Sequence, residues 1–252
     1  MKNKENRTLN LILTVLPLAL IVLIWAKSAQ VIDNKYILPS VKSTVEEFVL
    51  LFNNSEFYLS FFFTFLRSFT AFAISFAISF ILAIITAKIR YVRSAVMPII
   101  SVMRSLPTIA VVLLLYFWTT AKIAPVIVTM LVVLPTLFTH IDGAISSLDK
   151  TVSEAGRVDG ANEINVLIKI ELPMILDNIL IAIGSGIALS FKLMVAAEVI
   201  AQTPEALGFM LNSAKVYFQT AKMIAIVVCA VVFGVITEFV FDKFAKKAGN
   251  WK

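Results

Sequence analysis

The sequence has one cysteine and one histidine in 252 residues, and only 15% of its residues are charged. A single cysteine, Cys229, rules out a disulfide within the chain and any cysteine-based metal cluster. Because it lies inside an apolar run, it reads as a small buried apolar residue. A single histidine, His140, rules out a His-Glu-x-x-His zinc motif, and it reads as a residue at a membrane interface. None of the eight glycines precedes a lysine, so there is no phosphate-cradling P-loop. No Gly-x-Ser-x-Gly elbow occurs. Asp-Gly-Ala occurs at Asp142 and Asp159, without the further spaced aspartates that a two-metal membrane transferase needs. No Pro/Gly/Ser linker and no internal repeat divides the chain, which reads as one membrane domain over residues 1–252.

What is abundant is apolar. Hydrophobic residues make up 60% of the chain, and the mean hydropathy is +0.93. A soluble domain carries roughly 25% charged and about 45–50% apolar residues, so the excess points to lipid. The net charge of +6 is gathered at the ends of apolar runs. That placement argues for membrane orientation and against nucleic acid.

Six runs approach spanning length: 9–26, 59–87, 97–118, 123–140, 175–200 and 223–241. A helix needs about 20 apolar residues to cross the hydrocarbon. The first run follows Lys2, Lys4 and Arg7 and resembles a signal peptide, but its 18 residues exceed the usual apolar core and read as a retained helix. With both termini on the inner side, 13 lysines and arginines fall inside and 6 outside. This bias places both termini, and the loop 141–174, in the cytoplasm.

Two outer segments have amphipathic patterns. Val41, Val45, Phe48 and Phe52 recur at helical spacing after Pro39-Ser40. Thr203-Pro204 reads as a cap and first-turn proline ahead of Leu207, Met210, Leu211 and Ala214. Small residues repeat every four positions at Ala71, Ser75, Ser79, Ala83 and Ala87, and again at Ala182, Gly186 and Ser190. Such stripes let helices approach closely in lipid, or line a polar path.

The loop 141–174 is the most charged part of the interior of the chain. Thr151-Val-Ser-Glu154 is a capping box, predicting a helix from Val152. Gly160 suits a helix end, and Asn162 a second cap. Leu172-Pro173 is expected to break that second helix before the fifth span. The first helix presents a small face at Ala155 and Gly156, flanked by Glu154 and Arg157. A small knob with a charged rim suits insertion into a partner's cleft.

Here the chain resembles the permease subunits of ABC importers that use a binding protein. Their pattern is Glu-Ala-Ala, three residues, Gly, nine residues, Ile-x-Leu-Pro. This chain has Glu154-Ala155-Gly156, Gly160 and Ile170-Glu171-Leu172-Pro173 at the same spacing, with Gly156 for the second alanine. Ile37-Leu38-Pro39-Ser40, Leu66-Arg67-Ser68, Met97-Pro98, Arg104-Ser105-Leu106-Pro107, Val195-Ala196-Ala197-Glu198 and Ala206-Leu207-Gly208-Phe209 are similar to the nitrate, sulfonate, taurine and thiamine-precursor branch. The stretch 113–119 departs from that branch, which often has a second proline and Phe-Gly there.

The resemblance implies an all-α membrane protein of the type I importer kind, with six transmembrane helices and cytoplasmic coupling helices. It implies a bacterial cell-membrane location and no enzyme activity or cofactor on this chain, with ATP hydrolysed by a partner. The implied partners are a second permease copy, two cytoplasmic ABC ATPase subunits and an extracytoplasmic solute-binding protein. Glu154, Ala155, Gly156, Arg157, Gly160, Leu172 and Pro173 would dock the ATPase.

Ionisable groups within spans raise separate hypotheses. Arg67 and Arg104 lie well inside their runs, and either could pair with a carboxylate, bond backbone carbonyls or meet an anionic solute. Glu198 lies near the outer end of its span, and Lys192 is close enough to that end to snorkel. Glu238 is a further ionisable group within its span. Arg67, Arg104, Ser185, Ser190, Lys192 and Glu198 are the pathway candidates. The competing functions are a self-sufficient secondary transporter or channel, which usually shows paired broken helices in two related halves, and a membrane enzyme.

Overall fold

The computed structural model describes residues 2–158 and 161–249, and among them the only regular elements are helices. In chain order these are α1 (Lys2–Ile32), α2 (Val41–Leu51), α3 (Ser55–Lys88), α4 (Arg90–Ser105), α5 (Thr108–Trp118) and α6 (Ala124–Ser146). Then come α7 (Lys150–Val158), α8 (Glu163–Val166), a π-helical turn (Leu167–Glu171), α9 (Leu172–Met174), α10 (Leu176–Ala201), α11 (Leu207–Val216) and α12 (Thr220–Gly249).

Four of these, α3, α6, α10 and α12, are by length and composition able to cross a membrane. The expected straight span over 97–118 is instead a bent pair, with α4 and α5 meeting at 94°. The cause is Pro107. It lacks an N–H and forces Leu106 into an extended conformation (φ −65°, ψ 128°), so α4 cannot run on into α5. The structure therefore has up to five spans among the described residues.

The chain sorts into two compact units, one of Met1–Tyr58 with Met210–Cys229 and one of Leu59–Phe209 with Ala230–Lys252. In the first unit, Ser40 caps α2 by accepting from the Ser43 N–H at 3.1 Å. Of the apolar stripe expected on α2, Val45 and Phe52 are exposed, and Thr44 and Leu51 are the buried positions. The Trp25 indole donates to the Pro39 carbonyl at 3.0 Å, and the Thr220 hydroxyl to the Tyr36 carbonyl at 2.6 Å.

The second unit is organised on α6 and α10, which pack along each other. Phe72 of α3, Val133 and Leu137 of α6, and Ala182 of α10 form one buried cluster. Ile100 of α4 joins Ala83, Leu134, Phe138 and Ile141 in another. Val112 of α5 closes a third with Val128 and Ala197. The small-residue stripes serve these contacts. Ala71, Ser75, Ser79 and Ala83 are fully buried, as is Ser190. Ser79 donates its hydroxyl to the Leu134 carbonyl at 2.7 Å, binding α3 to α6. A Cβ on Gly186 would stand 2.8 Å from Leu137 and 2.9 Å from Phe72, so only glycine permits this approach without displacement.

The segment after α10 differs from the expected cap. Gln202 is left-handed (φ 50°), and α11 begins at Leu207 rather than after Pro204. Thr203 does not cap it. Its hydroxyl donates to the Ala121 carbonyl at 2.6 Å.

Candidate functional site

The loop between α6 and α10 is built from local chemistry. The predicted capping box at Thr151 is displaced by two residues. Asp149 is the cap, its Oδ1 accepting from the Thr151 N–H at 2.9 Å and the Thr151 hydroxyl at 2.6 Å, and α7 begins at Lys150. The shorter aspartate reaches the orphan N–H groups first, leaving Thr151 inside the helix. These hydrogen bonds favour the ionised form and hold the Asp149 carboxyl below the ordinary aspartate range.

The far end of α7 is closed by a bond from the Ala161 N–H to the Gly156 carbonyl at 3.1 Å. Asn162 then caps α8, as its sequence position predicts, accepting from the Asn165 N–H at 2.8 Å. Leu172-Pro173 does not stop the helix there. A π-helical turn intervenes, in which the Leu172 N–H bonds the Leu167 carbonyl. The wider turn lets the chain pass through Pro173, whose missing N–H leaves no ordinary helical partner for the Lys169 carbonyl. The break comes at Ile175 (φ −106°, ψ 7°), immediately before α10.

Gly156 lies against this turn: a Cβ there would stand 2.6 Å from the Ile170 Cδ1 and 3.6 Å from Val166. Glu154 and Pro173 are exposed, and Leu172 is half-buried against Ala144, Ile175 and Ile179. Gly160 lies outside the described residues, as do the side chains of Ala155 and Arg157. Val152, Val158, Ile164 and Ile168 leave an apolar margin exposed on α7, α8 and the π-helical turn.

Two ion pairs fasten the loop and its neighbours. Lys88, at the end of α3, reaches Glu163 at 3.3 Å. Arg93 of α4 grips Asp142 of α6 with two bonds, at 2.6 and 2.9 Å. Both Asp142 oxygens are thereby occupied by a guanidinium. A cavity of about 830 Å³ opens here, lined by Lys88, Arg93, Ser146, Glu154, Glu163 and Glu171 among others. The sequence flagged Asp142 only as a weak metal candidate. Its spacing from Arg93 holds no periodic signal, because the pair joins two helices 49 residues apart.

The span candidates separate. Arg67 and Glu198 come together, with Arg67 Nη2 2.7 Å from a Glu198 oxygen. Glu198 sits near the end of α10 but is fully buried. Ser190 donates to the Ser68 carbonyl at 2.7 Å, and Ser185 to carbonyls of its own helix at 3.0 and 3.2 Å. Lys192 is exposed, its stem beside Gly234 of α12. Arg104 is exposed at the end of α4.

Residues 75–250 match the family described as binding-protein-dependent transport system inner membrane component. The chain belongs to that family. It is a multi-pass membrane protein of that family. It is 27% identical over 135 residues to the riboflavin transport system permease protein RibX of Chloroflexus aurantiacus, over 53% of this chain. The matched segment spans half the length of that curated relative. The fold resembles an inward-facing structure of the MetNI methionine ABC transporter, with a TM-score of 0.66 at 16% identity over 75% of this chain and 94% of that one. It also resembles an amino acid ABC transporter solved with histidines, with a TM-score of 0.58 at 18% identity over 75% and 90% of the two chains.

Proposed function

We propose that this permease forms a translocation pathway with a second copy of itself and is driven by two cytoplasmic ATPase subunits that receive α7. In this reading both termini are cytoplasmic, ATP is hydrolysed only on the partners, and an extracytoplasmic binding protein delivers the solute. The observation that carries it is the placement of Glu154 and the Gly156 face on a short capped helix between α6 and α10, beside an exposed apolar margin. Exposed apolar residues rimmed by charge suit a partner surface. Docking there would couple nucleotide-driven closure to α10 through the π-helical turn.

The solute is a small molecule of the sulfonate, nitrate, taurine or thiamine-precursor kind, with flavins added by the RibX relative. Arg67 is neutralised by Glu198, which favours a solute that needs no fixed cation at that position.

Co-expression with an ATPase subunit and affinity capture in detergent tests the docking. Capture is expected from the native chain, and Glu154→Lys is expected to lower it by about tenfold or more. Undiminished capture by both Glu154→Lys and a 154–160 deletion excludes docking at α7. Uptake of labelled taurine, nitrate, thiamine and riboflavin by cells expressing the assembled transporter then sorts the solute classes.

A further inference from the structure

Three segments converge on Glu198, which lies fully buried near the end of α10. One of its oxygens accepts from Arg67 Nε at 2.9 Å and lies 2.7 Å from Arg67 Nη2. The other accepts the Thr64 hydroxyl at 2.8 Å and the Gly208 N–H at 3.4 Å. The same side chains hold the segment 202–209. Thr64 accepts the Leu207 N–H at 3.0 Å, and Arg67 donates to the Glu205 carbonyl at 3.2 Å. This segment carries left-handed backbone at Gln202 (φ 50°) and Glu205 (φ 53°), which costs free energy for non-glycine residues and persists only where the surroundings enforce it. A Cβ on Gly208 would stand 2.4 Å from the Glu198 Cβ and 2.5 Å from the Val199 nitrogen, so the segment rests directly on the α10 backbone.

The other end of the α3–α10 pair is held differently. Lys88 lies about 36 Å along α3 from Thr64, at 1.5 Å per residue. Its partner there is Glu163 of α8, the two side chains being 32% and 60% exposed, and the start of α10 itself is seated by apolar packing of Ile175 and Ile179 with Ala144. An exposed pair of this kind holds its two elements together only weakly. Removing a partner from a buried, multiply bonded carboxylate is far more disruptive. Beyond Glu163 the chain enters α10 through a π-helical turn and the break at Ile175, both departures from regular helix that admit bending.

We propose that Thr64, Arg67, Glu198 and Gly208 are positioning residues that make this end of the α3–α10 pair its fixed end, and that the loop end is the one that moves. A pull on α7 then tilts the first turns of α10 about the Glu198 clamp instead of sliding the helix along its axis. The source of the pull rests on the docking reading above. The difference in rigidity between the two ends does not.

Hydrogen exchange read by mass spectrometry on the full chain in lipid nanodiscs tests the rigidity directly. Without nucleotide, amides in 195–209 are expected to exchange about 100-fold more slowly than those in 161–175. Glu198→Gln is expected to speed 195–209 by about tenfold or more and leave 161–175 unchanged. Lys88→Ala is expected to speed 161–175 by no more than about fivefold and to leave 195–209 unchanged. Arg67→Lys, which keeps the charge, gives a smaller acceleration confined to 195–209 and serves if Glu198→Gln does not fold. Similar native rates at the two ends, or an equal acceleration of both by Arg67→Lys or Glu198→Gln, would overturn the fixed end. In complex with an ATPase subunit, MgATP with orthovanadate should alter exchange in 161–175 and not in 195–209. An equal change at 195–209 overturns the proposal even where docking itself is upheld. Failure to capture any ATPase counts against the docking reading alone.

Discussion

Gly156 of α7 and Ile170 of the π-helical turn are in direct apposition, with room for a hydrogen and not for a methyl group: a Cβ at 156 would meet the Ile170 Cδ1 at 2.6 Å. The obstructing atom is the end of a flexible side chain, so the contact yields to a small group and resists a branched one. Gly156→Ala is expected to keep the fold, with Ile170 changing rotamer. Gly156→Val is expected to cost about 1–3 kcal/mol by overpacking. Combining it with Ile170→Ala should return much of that loss. Denaturation in detergent, alongside ATPase capture, measures both, and a Gly156→Val loss unrelieved by Ile170→Ala would show that another contact sets the angle of α7.

The Arg93–Asp142 pair ties α4 to α6 with two short bonds, and the Asp142 side chain is 11% exposed against 36% for Arg93. Removing the more buried partner leaves a guanidinium that can still reach solvent, so the penalty falls short of a fully buried pair. Asp142→Ala is expected to destabilise by about 2 kcal/mol. Arg93→Met with Asp142→Leu should cost less than Asp142→Ala alone, because no charge is left unpaired. Thermal midpoints of the native chain and these two variants settle the order, and a double variant less stable than Asp142→Ala would contradict the penalty for an unpaired charge.

Much of this architecture is legible in the sequence because it depends on local chemistry. Leu106-Pro107 held the information for the 94° bend, yet the mostly apolar run over 97–118 concealed it, since hydropathy counts composition and ignores the missing N–H. Asn162 announced its cap correctly. Thr151 did not, because Asp149 stands two residues earlier and competes for the same N–H groups. What sequence cannot supply is partnership between helices. Arg67 showed as a costly charge in a span, but nothing in its neighbourhood named Glu198, 131 positions away. Thr64 gave no signal and Gly208 showed only within a stretch similar to the family, since their importance arises only where α3, α10 and the following segment meet.

Two glycines on the same chain should respond oppositely to alanine. A Cβ on Gly143, within α6, would meet nothing within 4 Å. Gly143→Ala is expected to stabilise by about 0.5–1 kcal/mol, because glycine loses more backbone freedom in a helix. At Gly208 the obstructing atoms include the Val199 nitrogen and the Glu198 carbonyl carbon, at 2.5 and 2.7 Å. Backbone cannot swing aside, so Gly208→Ala should lower the thermal midpoint sharply. Two variants of equal stability would contradict the close seating of the segment on α10.

Asp149 gives α7 a defined response to acid. Its carboxylate is exposed and accepts both the N–H and the hydroxyl of Thr151, so its folded-state pKa lies below the ordinary value of about 3.9. A depressed pKa contributes stability that is fully present above the unfolded value and is lost as pH falls through the folded one. The start of α7 should therefore be unchanged from neutral pH down to about 5 and should fray only below about 4. Asp149→Asn can still accept the N–H and should keep the helix start without that acid transition. Asp149→Ala should leave it frayed at every pH. Amide exchange at Thr151, corrected for intrinsic rates and compared with amides in α10, reports the local effect apart from global acid unfolding. Loss of protection at Thr151 already between pH 7 and 5 would require a titrating group other than Asp149 at this helix start.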